Sequence, residues 1–434
     1  MDFALTDDQR MLQEALQKFV EGEYDFEARN RNLRSRLGFS EEVWKGLAEQ
    51  GVLRIGLPEE HGGLGGPVEV MVVMERLGAG LVLEPFMSSV VLGGGVIARH
   101  GSGAQQSDVL PRIVDGSCRV ALAHHESGAR YALDYVNAVA READGGFVLN
   151  GVKTVVLDGA TANLLIVSAA QEPANGASRS AGNTADARSN AARGGSGDPA
   201  DREFAGAARG GSSDPAHRRA VVAARGGSGE PKRLSLFLVD PGARGVEVVT
   251  YRTQDGRNAA DVKFHDVRVA KDALIGKAGG GLAILEEALD HAMAALCAEA
   301  VGIMEALNNQ TLEYLKTRVQ FGQPIGRAQV LQHRMADMFM MAVQARSMSL
   351  LATGRCAAND AAARRRDVSA AKAFIGKAAR FIGQQAVQLH GGMGMSAELI
   401  VSHYFKRLTL INATFGDVDH HLGLLSDRIL SERT

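Results

Sequence analysis

The residues best placed to do chemistry lie in one stretch, TRVQFGQPIGRAQVLQHRMADM, from Thr317 to Met338. Arg318, Phe321 and Gln329 bring a guanidinium, an aromatic ring and an amide to a single turn. A planar guanidinium fork suits a phosphate or pyrophosphate. Taken alone, Arg318 fits better as a solvated side chain in a plain connection between helices. Upstream, Leu296, Ala300, Ile303, Met304 and Leu307 recur at the spacing of a buried helix face, which puts Arg318 at a helix end. Phe321-Gly322 breaks that period. Pro324 stands where it can open a second helix, with Gln329 on its first turns. His390, His420 and His421 raise a metal reading. Adjacent histidines cannot share one side of a helix, and no carboxylate spacing supports a site, so we expect no metal.

The pattern says more than its parts. R-x-x-F-G-x-x-I-x-x-x-Q followed by A-D-M resembles the C-terminal domain of the acyl-CoA dehydrogenases. Gln388-Leu389-His390-Gly391-Gly392-Met393-Gly394 resembles that family's Q-x-x-G-G-x-G. The resemblance implies that Arg318, Phe321, Gln329, Gln388, Gly391 and Gly392 reach the FAD of a neighbouring subunit. It covers nearly the whole chain apart from one insertion.

Dehydrogenation of an acyl-CoA needs a base for the α-proton, flavin N5 for the β-hydride, and hydrogen bonds that polarise the thioester carbonyl. The resemblance implies a Glu base in an E-G-T segment, but this chain reads Thr414-Phe415-Gly416-Asp417, with Phe415 in the slot. A rarer placement follows Leu289-Asp290 and falls on Ala292. Both base positions are empty. In Ala123 to Tyr131, His125 stands where a flavin-binding Thr is implied, and Val155-Val156-Leu157 replaces W-I-T. The chain thus keeps what a neighbour's flavin needs and loses what its own would need. That asymmetry points to half of a hetero-oligomer. The tail HYFKRLTLINATFGDVDHHL resembles the small subunit of pimeloyl-CoA dehydrogenase and similar paired-subunit enzymes. The implied partners are a homologous chain, an acyl-CoA and an electron-transfer flavoprotein. The alternatives are a non-catalytic scaffold completing a partner's flavin site, and a self-sufficient homotetramer.

Three acids can stand in for the lost Glu. Asp417 follows a glycine that permits an unusual turn; it offers a base or, equally, a cap for the last helix. Asp290 matches a position that contacts the CoA portion, so a substrate-binding role is expected. Glu299 lies seven residues past Ala292, about 10 Å along a helix, which is far for a base.

The elements that must position these groups follow from periodicity. Residues 1–117 read as helical: Thr6 caps a helix whose apolar face holds Met11, Leu12, Leu16, Phe19 and Val20. Gly56 to Gly65 is a loop; with no strand before it and no Lys-Ser/Thr after it, it is not a nucleotide cradle. Residues 118–275 alternate as strands, including a strand–turn–strand at Phe147 to Lys153, and suit a β-barrel. Three near-copies beginning at Arg193, Arg209 and Arg225 mark a polar insertion over about 171–233, expected to be disordered. Residues 276–434 return to long helices, a four-helix bundle. The fold class is therefore α+β, mainly α. With 434 residues the chain can form two or three domains. A net charge of -2 gives no reason to expect nucleic acid or an anionic membrane. Three unpaired cysteines and the absence of a membrane-length apolar run lead us to expect a cytoplasmic protein.

Overall fold

The helices of the N-terminal part begin where polar side chains satisfy free backbone N–H groups. Thr6 Oγ1 accepts from the Gln9 N–H at 3.3 Å, and Gln9 Oε1 accepts from the Thr6 N–H at 3.0 Å, so a capping box opens α1 (Asp7–Glu23). Asp25 and Ser40 cap α2 (Phe26–Arg34) and α3 (Glu41–Glu49). Then come α4 (Pro67–Ala79), a π-helical turn (Met87–Gly94) running into α5 (Gly95–His100), and α6 (Gly103–Val114). The computed structural model describes residues 4–172 and 233–431. The repeats beginning at Arg193, Arg209 and Arg225, and nearly all of the expected insertion, lie outside the described residues. On α1, Leu16 and Val20 are buried as expected, but Met11 is 68% exposed. Five residues along a helix turn a side chain about 140° away from Leu16, so Met11 faces out.

The central sheet contains β1 (Val120–Ala123), β2 (Val139–Ala143), β3 (Gly146–Leu157), β4 (Leu164–Glu172), β5 (Leu234–Val239), β6 (Val246–Arg252), β7 (Asn258–Ala270) and β8 (Leu274–Ile275). Its order is β6-β7-β3-β2-β4-β5-β8, with β1 parallel to β4. The expected reversal at Asn150-Gly151 does not occur: β3 is one continuous strand. Gly151, at φ +145°, sits instead at a register shift against β7, where a Cβ would lie 2.6 Å from Ala138 Cα. Glycine here permits a bulge rather than a turn.

The C-terminal helices are α7 (Gly281–Thr317), α8 (Gln329–Cys356), α9 (Ala361–His390), α10 (Ile400–Ala413) and α11 (Val418–Ser431). Pro324 does not open α8. It lies in β10 (Gln323–Pro324), which pairs antiparallel with β9 (Val319–Gln320). Phe321 at φ +53° and Gly322 at φ +79° fold the chain straight back, the turn geometry that suits a two-residue hairpin.

One buried ionic knot ties these layers together. Arg407 on α10 donates to both carboxylate oxygens of Glu299 on α7, at 2.6 and 2.7 Å, and to Asp255 at 2.9 Å. Arg257 donates to Glu299 at 3.3 Å and to the Val82 carbonyl at 2.6 Å. Burial alone would raise both carboxyl pKa values, but Arg407 and Arg257 outweigh it and hold Glu299 and Asp255 below the usual range. Glu299→Ala strands buried guanidinium groups and is expected to cost about 3–5 kcal/mol, read from the urea midpoint. Because the folded pKa values lie below the unfolded ones, the wild-type stabilisation is present above about pH 4 and is lost as pH falls through the folded values. Glu299→Ala should therefore lose less stability than wild type on acidification over that window.

Candidate functional site

The N-terminal end of α7, the start of α9, the segment after β1 and the tail around Leu410 to Leu424 enclose a cavity of about 520 Å³. Its inner wall is apolar, with Leu92, Leu122, Leu289, Met293 and Leu410. Polar groups enter from α7 and α9: Arg365 pairs with Glu286 at 2.7 Å and with Asp290 at 3.5 Å, and Arg364 donates to Asp290 at 3.2 Å. Burial raises the Asp290 pKa, against the pull of those arginines. The wall is braced by Lys153, fully buried, whose Nζ donates to Glu126 at 2.6 Å and to Ser168 at 2.9 Å. Burial depresses its pKa to about 8 despite the Glu126 carboxylate.

The segment in which the resemblance implies a base has a specific construction. Phe415 at φ +59° and Gly416 at φ +118° form a tight reversal between α10 and α11. Lys372 on α9 is buried beneath it and donates to the carbonyls of Ile411, Asn412 and Gly416 at 2.9, 3.0 and 2.8 Å. Burial lowers the Lys372 pKa to about 8. This clamp presents Phe415 to the cavity, with its ring 6.0 Å from that of His124. Asp417 takes the cap role weighed above: its Oδ1 accepts from the His420 N–H at 2.9 Å at the start of α11. Its other oxygen lies 3.5 Å from the Tyr131 hydroxyl, and the side chain is not part of the cavity wall. Ala292 is fully buried away from the cavity, and Glu299 is consumed by the knot.

The two glycine-bearing motifs meet elsewhere. The Tyr314 ring stacks on His390 at 4.3 Å, bringing the hairpin after α7 beside the Gly391-Gly392 turn that ends α9. Phe321 is fully exposed. Among the described residues, the side chains of Arg318, Gln329 and Gln388 make no hydrogen bond or ion pair. A Cβ at Gly322, Gly391 or Gly392 would meet nothing within 4 Å, so the main chain there is open to close approach, with the Gly391 N–H itself spent on the Gln388 carbonyl. This corner is remote from the cavity. From Leu289 to Arg318 is 29 residues of continuous helix, about 43 Å along the axis.

The corner fits a flavin dinucleotide: a free fork for the phosphates, an exposed ring, free amides and bare glycine backbone. The cavity wall fits one poorly. His125, in the implied flavin-binding position, spends Nδ1 on Thr154 Oγ1 at 3.0 Å and Nε2 on the Arg130 carbonyl at 3.1 Å. Val155 and Leu157 offer no hydroxyl there. Sequence reasoning singled out His125 but passed over His124 and Lys372.

Helices, sheet and helices around an acyl-sized cavity, with a dinucleotide corner at the far end of the long helix, define a flavin-dependent acyl-CoA oxidoreductase fold. Family models for the acyl-CoA dehydrogenase N-terminal and C-terminal domains match residues 6–117 and 279–430. The chain is 25% identical to acryloyl-CoA reductase (NADH) of Anaerotignum propionicum over 437 residues, covering 99% of this chain and 96% of that protein. Among solved structures it is similar to the ChsE4-ChsE5 complex of Mycobacterium tuberculosis (TM-score 0.78, 23% identity, 99% of both chains). It is also similar to the FAD complex of PigA (TM-score 0.80, 23% identity, 100% of both chains). The chain belongs to the acyl-CoA dehydrogenase family, FAD-dependent oxidoreductases acting on CH–CH donors.

The Lys372 clamp makes a local prediction. Lys372→Met leaves three buried carbonyls without their donor and is expected to cost about 1–3 kcal/mol. Amide exchange should accelerate over residues 411–416 while the Phe321 hairpin is unaffected; unchanged exchange in the tail would refute the clamp.

Proposed function

We propose that this chain is one subunit of a paired, FAD-dependent acyl-CoA dehydrogenase that converts an acyl-CoA to its 2,3-enoyl-CoA. One observation carries the reading: the dinucleotide corner and the cavity sit at opposite ends of α7, about 43 Å apart, so one chain's corner cannot serve its own cavity. Arg318, Phe321, Gln329, Gln388, Gly391 and Gly392 serve the flavin of a homologous neighbour. When bound, FAD supplies the two-electron acceptor for the CH–CH bond. Arg318 holds a phosphate through its fork, and the backbone at Gly391-Gly392 approaches the dinucleotide closely. Asp290 and Arg365 hold the CoA portion at the cavity. Phe415 excludes water from the slot and provides no proton acceptor, so the carboxylate belongs to the partner chain. Residues 1–117, 118–275 and 276–434 form the helical, β and helical domains of this subunit.

Similarity to a two-chain complex supports pairing, and similarity to acryloyl-CoA reductase supports a CoA thioester. Electron-transfer flavoprotein is the proposed acceptor and the cytoplasm the proposed location. No described helix is long and apolar enough to cross a membrane. The rival reading, a homotetramer with Asp417 as base, requires that carboxylate to leave its cap; a purely structural subunit would leave the cavity without a ligand.

Purification separates these readings. The chain alone is expected to be colourless, and to become yellow when co-expressed with a homologue bearing a Glu in the Phe415 slot. Arg318→Ala should lower flavin affinity of the complex about tenfold or more, with circular dichroism unchanged. A chain that holds flavin alone and bleaches with acyl-CoA under anaerobic conditions would overturn the pairing.

A further inference from the structure

Two imidazoles on the cavity wall carry buried ring nitrogens without a hydrogen-bond partner, although the Leu122 backbone also interacts with His124. His421, in the first turn of α11, is 1% exposed, and neither ring nitrogen makes a hydrogen bond. His124, just after β1, lines the same cavity with Nδ1 unpartnered. Both border the Phe415-Gly416 reversal. The His124 ring is 6.0 Å from Phe415, and a Cβ on Gly416 would lie 2.5 Å from His421 Nε2. The Phe415 carbonyl favours protonation of His421, but the contact falls short of hydrogen-bond geometry.

Buried polar atoms are normally satisfied, so these point to a ligand. Burial, reinforced by the Lys372 charge for His421 and by Lys153 for His124, depresses each ring to about 3. Both rings are therefore neutral near pH 7, each with one N–H donor and one bare nitrogen acceptor. An aliphatic acyl chain offers neither complement. A carbonyl offers only an acceptor. A hydroxyl offers both.

Building on the acyl-CoA reading above, we propose that His421, with His124 on the same wall, binds a hydroxyl group on the acyl chain, so that the cavity selects hydroxylated acyl-CoA thioesters. Titration calorimetry on the assembled full-length protein tests this with hexanoyl-CoA and its 3-hydroxy and 5-hydroxy forms. At least one hydroxylated ester should bind about tenfold tighter than hexanoyl-CoA. His421→Phe should erase that preference while leaving hexanoyl-CoA affinity within about twofold, and His421→Gln, which keeps a donor and an acceptor, should retain part of it. Independently of any variant, the ring-nitrogen resonances of His421 in the wild type should shift with the preferred ester and not with hexanoyl-CoA. Binding of hexanoyl-CoA with no hydroxyl preference, or a preference that survives His421→Phe, overturns this proposal alone. Failure of every ester overturns the acyl-CoA reading as well.

Discussion

The contact on which the architecture rests is the two-armed grip of Arg407 on Glu299 and Asp255. The partners sit on three elements of two layers: α10 and α7 of the C-terminal helices and the loop between β6 and β7. Arg257 extends the grip to Val82 in the N-terminal helices. Charges so deeply buried are costly unless every lobe is paired, and here two carboxylates face two guanidinium groups at close range. The arrangement specifies one relative placement of three layers that hydrophobic contact alone would let slide. It also fixes α7, and α7 sets where both functional regions fall.

The same economy of buried charge shapes the Phe415-Gly416 reversal. A lysine that makes no ion pair among the described residues, with the Asp417 carboxylate acting on it only from a distance, is held by three main-chain carbonyls. It anchors a reversal that few side chains tolerate, with two successive residues at positive φ. The clamp aims the side chain at its tip, a phenylalanine, at the cavity.

Much of this was legible in the sequence. The helix face from Leu296 to Leu307 is buried, and the strand at Leu234–Val239 falls where alternation placed it. The misreadings share a cause: glycine and proline mark an irregularity without saying which kind. Gly151 made a bulge where a turn was expected, and Pro324 entered a hairpin because Phe321 adopts a conformation that composition does not announce. For Asp417 the sequence left base and cap open, and its bond to the His420 N–H depends on how the chain enters α11. Lys372 left a usable trace: it sits among Val368, Ala371 and Ile375 on an apolar helix face, where a charge needs an explanation. His421 stood out in the sequence only as one of a histidine pair weighed for metal; its burial on the cavity wall depends on which way α11 rolls.

The β4–β5 ladder has a practical side. Its strands are in register from Leu165 opposite Val239 to Ala170 opposite Leu234, and the Gln171 N–H donates to the Arg233 carbonyl at 2.8 Å. The polypeptide thus departs and returns through a doorway one hydrogen bond wide. The register of the two strands fixes both ends side by side, and in general loop-closure entropy grows only slowly with the length of chain joined at such a point. That makes the doorway a natural port for grafting a reporter or tether.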